Sequence, residues 1–175
     1  DGIRDVERSR GLGDVYKRQH GEDSDSVAIR SSDLSDSSIS HLKASNFMIE
    51  KSDLSVSAIS HVKFAKFMVL KSTFIHTRFH CVGIEDAYIA NSVFNGTVFT
   101  NCGFPEVRFS NCIFTDVSFN SCVLLNTKFT NCTFLNCTFR ASPINDASFI
   151  GCPMTVRIRK DQWKYLPKGA VRESF

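Results

Sequence analysis

From Ile29 to Met154 every fifth residue is apolar. The 26 positions of this register read Ile, Leu, Ile, Ala, Ile, Leu, Ile, Phe, Val, Phe, Phe, Ile, Ile, six Phe, Leu, three Phe, Ile, Phe and Met. Thirteen of the sixteen Phe residues of the chain fall on it. A period of five matches neither a helix of about 3.6 residues per turn nor the two-residue alternation of a simple strand. The residue two places before each of these sites forms a second register, Val27 to Cys152. It holds mostly Ser, Thr, Ala, Val and Cys, with Leu42, Phe47 and Phe67 as bulky exceptions. On an extended chain, residues two apart point to the same face. Each pentad therefore predicts three extended residues, with one small and one large side chain turned inward, followed by a sharp corner.

A second period shows how the corners close. Residues 31–50 and 51–70 are identical at eleven of twenty positions, among them Asp33/Asp53, His41/His61 and Met48/Met68. Twenty residues are four pentads, so four sides make one level of a square column and equivalent sides stack. Internal repeats of this kind define a solenoid. The repeats predict about six coils, a rod of about 30 Å at the strand spacing of about 4.8 Å. Its core is expected from Phe94, Phe99, Phe104, Phe109, Phe114, Phe119, Phe129, Phe134, Phe139 and Phe149. The corner site three before each large residue holds Asn91, Asn101, Asn111, Asn126, Asn131 and Asn136, with Gly96, Gly151, Asp116 and Asp146 at equivalent places. Gly adopts positive φ freely and Asn or Asp tolerates it. In the first coils the site holds His, Lys and Val, so a different turn type is expected there.

With these registers in place, residues 27–154 resemble the pentapeptide-repeat family, whose consensus is small–Asp/Asn–Leu/Phe–polar–Gly. The resemblance covers about three-quarters of the chain in unbroken register. It departs in favouring Phe over Leu, Cys at the small site and Asn at the Gly site. It implies an all-β fold, a right-handed quadrilateral β-helix. Domain expectations follow: repeats over 27–155, a C-terminal cap over 156–175, a lead-in at 20–26 and a leader at 1–19. In the cap, Val156 and Ile158 alternate as a strand. A short helix beginning at Asp161 and ending at Pro167 and Gly169 would set Trp163, Tyr165 and Leu166 over the last coil. The leader shares neither composition nor period with the repeats. It reads as adapter-derived sequence or a disordered charged segment, with the natural chain starting near His20 and its true start lost.

Charge narrows the functional classes. The chain has 21 basic and 18 acidic residues, net +3. Residues 31–155 hold nine of each sign, whereas 156–175 hold six basic and two acidic. No apolar run is long enough for a membrane span, and no signal peptide is visible. Of the seven cysteines, Cys102, Cys112, Cys122, Cys132, Cys137 and Cys152 occupy the small inward register. They are expected as buried free thiols rather than disulfides or metal ligands, which fits a reducing cytoplasm. Cys81 sits at a corner and follows His41 and His61 at an offset of twenty. Zinc holds its ligands about 2.0–2.3 Å from one centre. A straight column spanning two coil spacings cannot supply three of them, so no metal site is expected, and no cofactor.

No Ser-His-Asp set, carboxylate pair or phosphate loop stands out, and a convex rod offers chemistry no pocket. The chain is therefore read as non-catalytic, with no catalytic residue assigned. One outward side carries Met48, Met68 and Tyr88, then Arg108 and Lys128, with Leu70 beside them. This side is the expected partner surface for another protein. The reading is thus a protein-binding or scaffold module. Two alternatives remain open. Some members of the resembling family mimic DNA, bind topoisomerases and protect them from quinolones; mimicry needs a strongly acidic rod, and these repeats are balanced. The repeats could also be one module of a larger, secreted effector. Direct nucleic-acid binding is not expected.

Overall fold

The computed structural model describes residues 6–7, 14–19 and 25–175. The expected leader and lead-in therefore lie partly outside the described residues. Two described strands of that region pair with the first coil. Asp14–Gln19 runs antiparallel to Asp25–Arg30, and Val6–Glu7 antiparallel to Ser38–Ser40.

From Asp25 onward the chain winds into an all-β helix of four-sided coils. The coil near residues 73–90 shows the four sides as strands Thr73–Ile75, Arg78–His80, Gly83–Ile84 and Ala87–Ala90. Each side pairs in parallel with the side twenty residues later. On side A the order is Ala28, Met48, Met68, Tyr88, Arg108, Lys128 and Ser148. Seven levels stack there, close to the six expected. Hydrogen bonds continue this ladder through the corners: the N–H of Asn91 donates to Ser110 O at 3.0 Å and that of Asn111 to Thr130 O at 3.0 Å. Corner backbone is thus paired rather than left unsatisfied.

The large register forms the axis. Phe74, Phe94, Phe114 and Phe134 stack face to face on side B at 4.9, 5.0 and 4.7 Å between ring centroids. Phe79, Phe99, Phe119 and Phe139 do so on side C at 4.7, 5.1 and 4.8 Å. On side A the stack is Phe109, Phe129 and Phe149, at 4.8 and 5.0 Å. Rings of adjoining sides meet edge to face, as Phe109 and Phe114 do at 72°. Both arrangements satisfy the ring quadrupole. Of the ten expected core Phe residues nine are buried; Phe149, on the last full level, is half-buried against them. Side D is mostly aliphatic, with Ile84, Leu124 and Ile144 around Phe104.

The corner expectation needs two corrections. His41, Lys51, Val56 and His61 have φ of 53°, 50°, 62° and 53°, the same left-handed conformation as Asn91 or Asn131. At these corners the coil imposes this conformation on residues other than Gly, Asn and Asp. Second, Asp146 is not left-handed, and neither are Asn46 and Lys66. At Asn46 and Lys66 no turn exists, because strands Lys43–Glu50 and Lys63–Leu70 run straight through the corner. The next residue in each case is a bulky exception, Phe47 or Phe67. These rings pack on Phe64 at 4.4 and 5.0 Å, and a sharp turn would leave no room for them. Ala44 provides part of that room.

After Met154, strand Met154–Ile158 pairs with Thr133–Arg140 through a bulge between Phe134 and Cys137, and buries Val156 and Ile158. A 3₁₀ helix follows at Lys160–Tyr165. Trp163 and Leu166 pack on the core, but Tyr165 faces outward under the Lys164 ammonium, 4.9 Å from its ring centroid. The helix begins one residue before Asp161, whose carboxylate accepts two hydrogen bonds from Arg159 at 3.0 Å. Gln162 Oε1 accepts the Ile144 N–H at 3.0 Å, covering an edge group of the last coil.

Candidate functional site

The residues flanking the axis on side A point outward by strand alternation, and parallel pairing sets them in one file. Met48, Met68, Tyr88, Arg108 and Lys128 form that file, as the sequence predicts. Leu70 belongs to the neighbouring file with Glu50 and Ala90, across the inward residue. Met68 and Tyr88 are 38% and 42% exposed.

The unbroken strands at Asn46 and Lys66 give this file a groove of about 760 Å³. Buried Val27, Phe47 and Phe67 form its floor, and Met48, Met68 and Tyr88 its walls. Arg30, Lys66 and Asp86 rim it. Arg30 is held by Glu50 at 3.5 Å and donates to Met48 Sδ at 3.4 Å. Leu70 does not reach the groove. A smaller, more polar groove of about 500 Å³ lies further along the same face, lined by Arg108 and Lys128 together with Glu106 and Asp146. The middle of the face is therefore mixed in charge rather than basic. Sequence reasoning missed the floor and rim. The signal was present, since Phe47 and Phe67 break the small register at exactly twenty residues' spacing.

The cysteines of the small register are free and buried. Each thiol donates to main-chain carbonyls; Cys112 Sγ lies 3.4 Å from Ser110 O and Cys152 Sγ 3.4 Å from Ile150 O. Burial pushes the Cys137 thiol up to about 12. Such a group stays protonated and is a poor nucleophile. Cys81 is the only cysteine of the seven that is not buried.

At the corner between sides C and D, His41 and His61 stack at 5.2 Å with rings 5° from parallel. The third member of the expected column is not what His61 meets next. His80, one residue before Cys81, presents its ring edge to His61 at 5.5 Å. Donor atoms of His61, His80 and Cys81 all lie within 4.8 Å of one another, and His41 stands outside this group.

Residues 90–157 match the family model described as the SV2A/B/C luminal domain. No curated protein matches the chain by sequence. Among solved structures the chain is similar to a trypsin-treated form of QnrB1, a plasmid-mediated fluoroquinolone resistance protein. The TM-score is 0.62 at 12% identity, over 82% of this chain and 77% of that one. It is also similar to Rfr23, a pentapeptide repeat protein from the cyanobacterium Cyanothece 51142, with TM-score 0.36 and 11% identity over 69% and 64%. That second likeness is too remote to argue from. The first, at its low identity, speaks for the fold, where the five-residue register and the stacked four-sided coils already lead: the chain is a pentapeptide-repeat β-helix.

Proposed function

We propose that this rod is a non-catalytic protein-binding module acting through side A. The observation that carries the reading is the apolar groove walled by Met48, Met68 and Tyr88, with Tyr88 paired to Arg108 of a charged groove on the same side. Methionine walls adapt to varied side chains, and aromatic anchors concentrate binding energy. The partner is a protein segment that places apolar side chains between Met68 and Tyr88. Polar groups on either side of it meet Arg108, Lys128 and the opposing carboxylates.

The test is a photo-crosslinking residue at Tyr88, followed by capture with the Met68→Ala/Tyr88→Ala variant. Loss of the crosslinked partner with an unchanged melting curve supports the face. Undiminished capture removes it.

A second reading, a topoisomerase-binding DNA mimic, is favoured by the fold likeness to QnrB1. Against it stands charge: the repeats hold nine basic and nine acidic side chains over residues 31–155, whereas a phosphate mimic needs a negative surface. Shared fold alone does not transfer function. Inhibition of gyrase supercoiling by the purified chain would reverse this ranking. Among the described residues no helix is long and apolar enough to cross a membrane.

A further inference from the structure

We infer that His61, His80 and Cys81 form a transition-metal site suited to Zn(II), at a corner away from the binding groove. Imidazole nitrogen and thiolate sulfur are the ligands that borderline-soft cations of this class select. In a tetrahedral zinc centre, bond lengths of about 2.0–2.3 Å set neighbouring donors about 3.3–3.6 Å apart. Cys81 Sγ and His80 Nε2 already stand 3.3 Å apart. The remaining separations, all within 4.8 Å, close by rotation of side chains on an outer corner.

The fold sets the three Cα positions. His61 and Cys81 are equivalent corner residues one coil apart, each left-handed at φ 53°. The His61 N–H donates to His80 O at 3.0 Å, and the Cys81 N–H to Thr100 O at 3.0 Å. His80 is the end of strand Arg78–His80, pinned beside Ser60. Two ligands thus come from one coil and one from the coil before it. The obstacle to a straight His41–His61–Cys81 column disappears, because His80 replaces the distant His41. Stacked on His61, the His41 ring fixes the plane of that imidazole. Three protein ligands leave a fourth position for water or for a group from outside the chain, the arrangement of open rather than closed zinc sites.

Cobalt(II) is the probe, titrated into the full chain under a non-thiol reductant. The expected result is a thiolate-to-cobalt charge-transfer band that saturates at one cobalt per chain and is bleached by added Zn(II). The other six cysteines are buried, so the band reports on Cys81. Cys81→Ser abolishes it. His61→Ala and His80→Ala each weaken cobalt binding by at least about tenfold, while His41→Ala changes affinity by less than that. All four side chains lie at the surface, and circular dichroism and melting curves of the variants are expected to overlay the parent. Absence of the band in the parent chain overturns the site. So does a band that survives Cys81→Ser, a His80→Ala variant that binds like the parent, or saturation at half a cobalt per chain.

Discussion

The two halves of the rod solve one packing problem with different chemistry. In the C-terminal half the axis is aromatic: three files of Phe stack at 4.7–5.1 Å, and the small register is rich in Cys. In the N-terminal half Ile29, Ile49, Leu34, Leu54, Ile39 and Ile59 fill the same files, and the small register is rich in Ser. Within one column, Ser52, Ser72 and Ser92 donate to the carbonyls of Glu50, Leu70 and Ala90 at 2.9 Å. Their oxygens in turn accept the N–H groups of Ser32, Ser52 and Ser72, each one coil earlier. Further along, Cys112, Cys132 and Cys152 occupy that column with thiols that bond more weakly and add apolar contact. Planar rings that repeat each other demand strict register. Branched aliphatic side chains pack in more ways, and only in that half do Phe47 and Phe67 intrude and remove a corner. The groove is therefore a consequence of the looser half.

The largest expected break is Phe119→Asp, at a position with no exposure. It should cost more than the roughly 3–5 kcal/mol of a Phe truncation, because it also buries a charge. Denaturant unfolding should find the chain unfolded or close to it; a soluble variant with parental midpoint would contradict the axis. Next, Phe67→Ala should fall toward the lower end of that range, about 3 kcal/mol, since its ring borders an open groove and not a sealed stack. Equal losses at Phe67 and at Phe114→Ala would erase the difference between the halves.

Alkali tests the thiol-rich half. The folded Cys137 thiol is raised by burial from 9.0 to about 12, so the fold holds the proton and the unfolded chain releases it. Its contribution is complete below pH 9 and is lost as the pH climbs toward 12. Melting temperature should decline over that window, and less steeply in Cys137→Val. A smaller effect probes the corners. Val56 is β-branched with φ of 62°, a strained conformation for that residue type. Val56→Asn should stabilise the chain by about 1 kcal/mol, whereas Asn131→Val should lose a similar amount. The smallest is Met68→Ala/Tyr88→Ala, expected within about 0.5 kcal/mol per site while eliminating partner capture.

Much of this architecture is legible in the sequence because the repeat is one-dimensional. Each inward residue meets its equivalents twenty positions away, so Phe94, Phe114 and Phe134 declare their contacts by spacing alone. The file from Met48 to Lys128 follows from the same arithmetic. What spacing does not encode is lateral accommodation. Whether a corner survives beside Phe47 depends on Phe64, Phe67 and Ala44 on adjoining sides and levels at once. Asp146 looks like a turn residue and is not left-handed, because the last level closes under the C-terminal segment and not under another coil. His80 is a strand residue by register, and its meeting with His61 depends on which way two outer side chains lean. Sequence thus determined the coil, its axis and its outward files through short, repeated, local geometry. Tertiary structure decided where the square opens into a groove and which imidazole joins Cys81, since both depend on volume and direction shared among several coils.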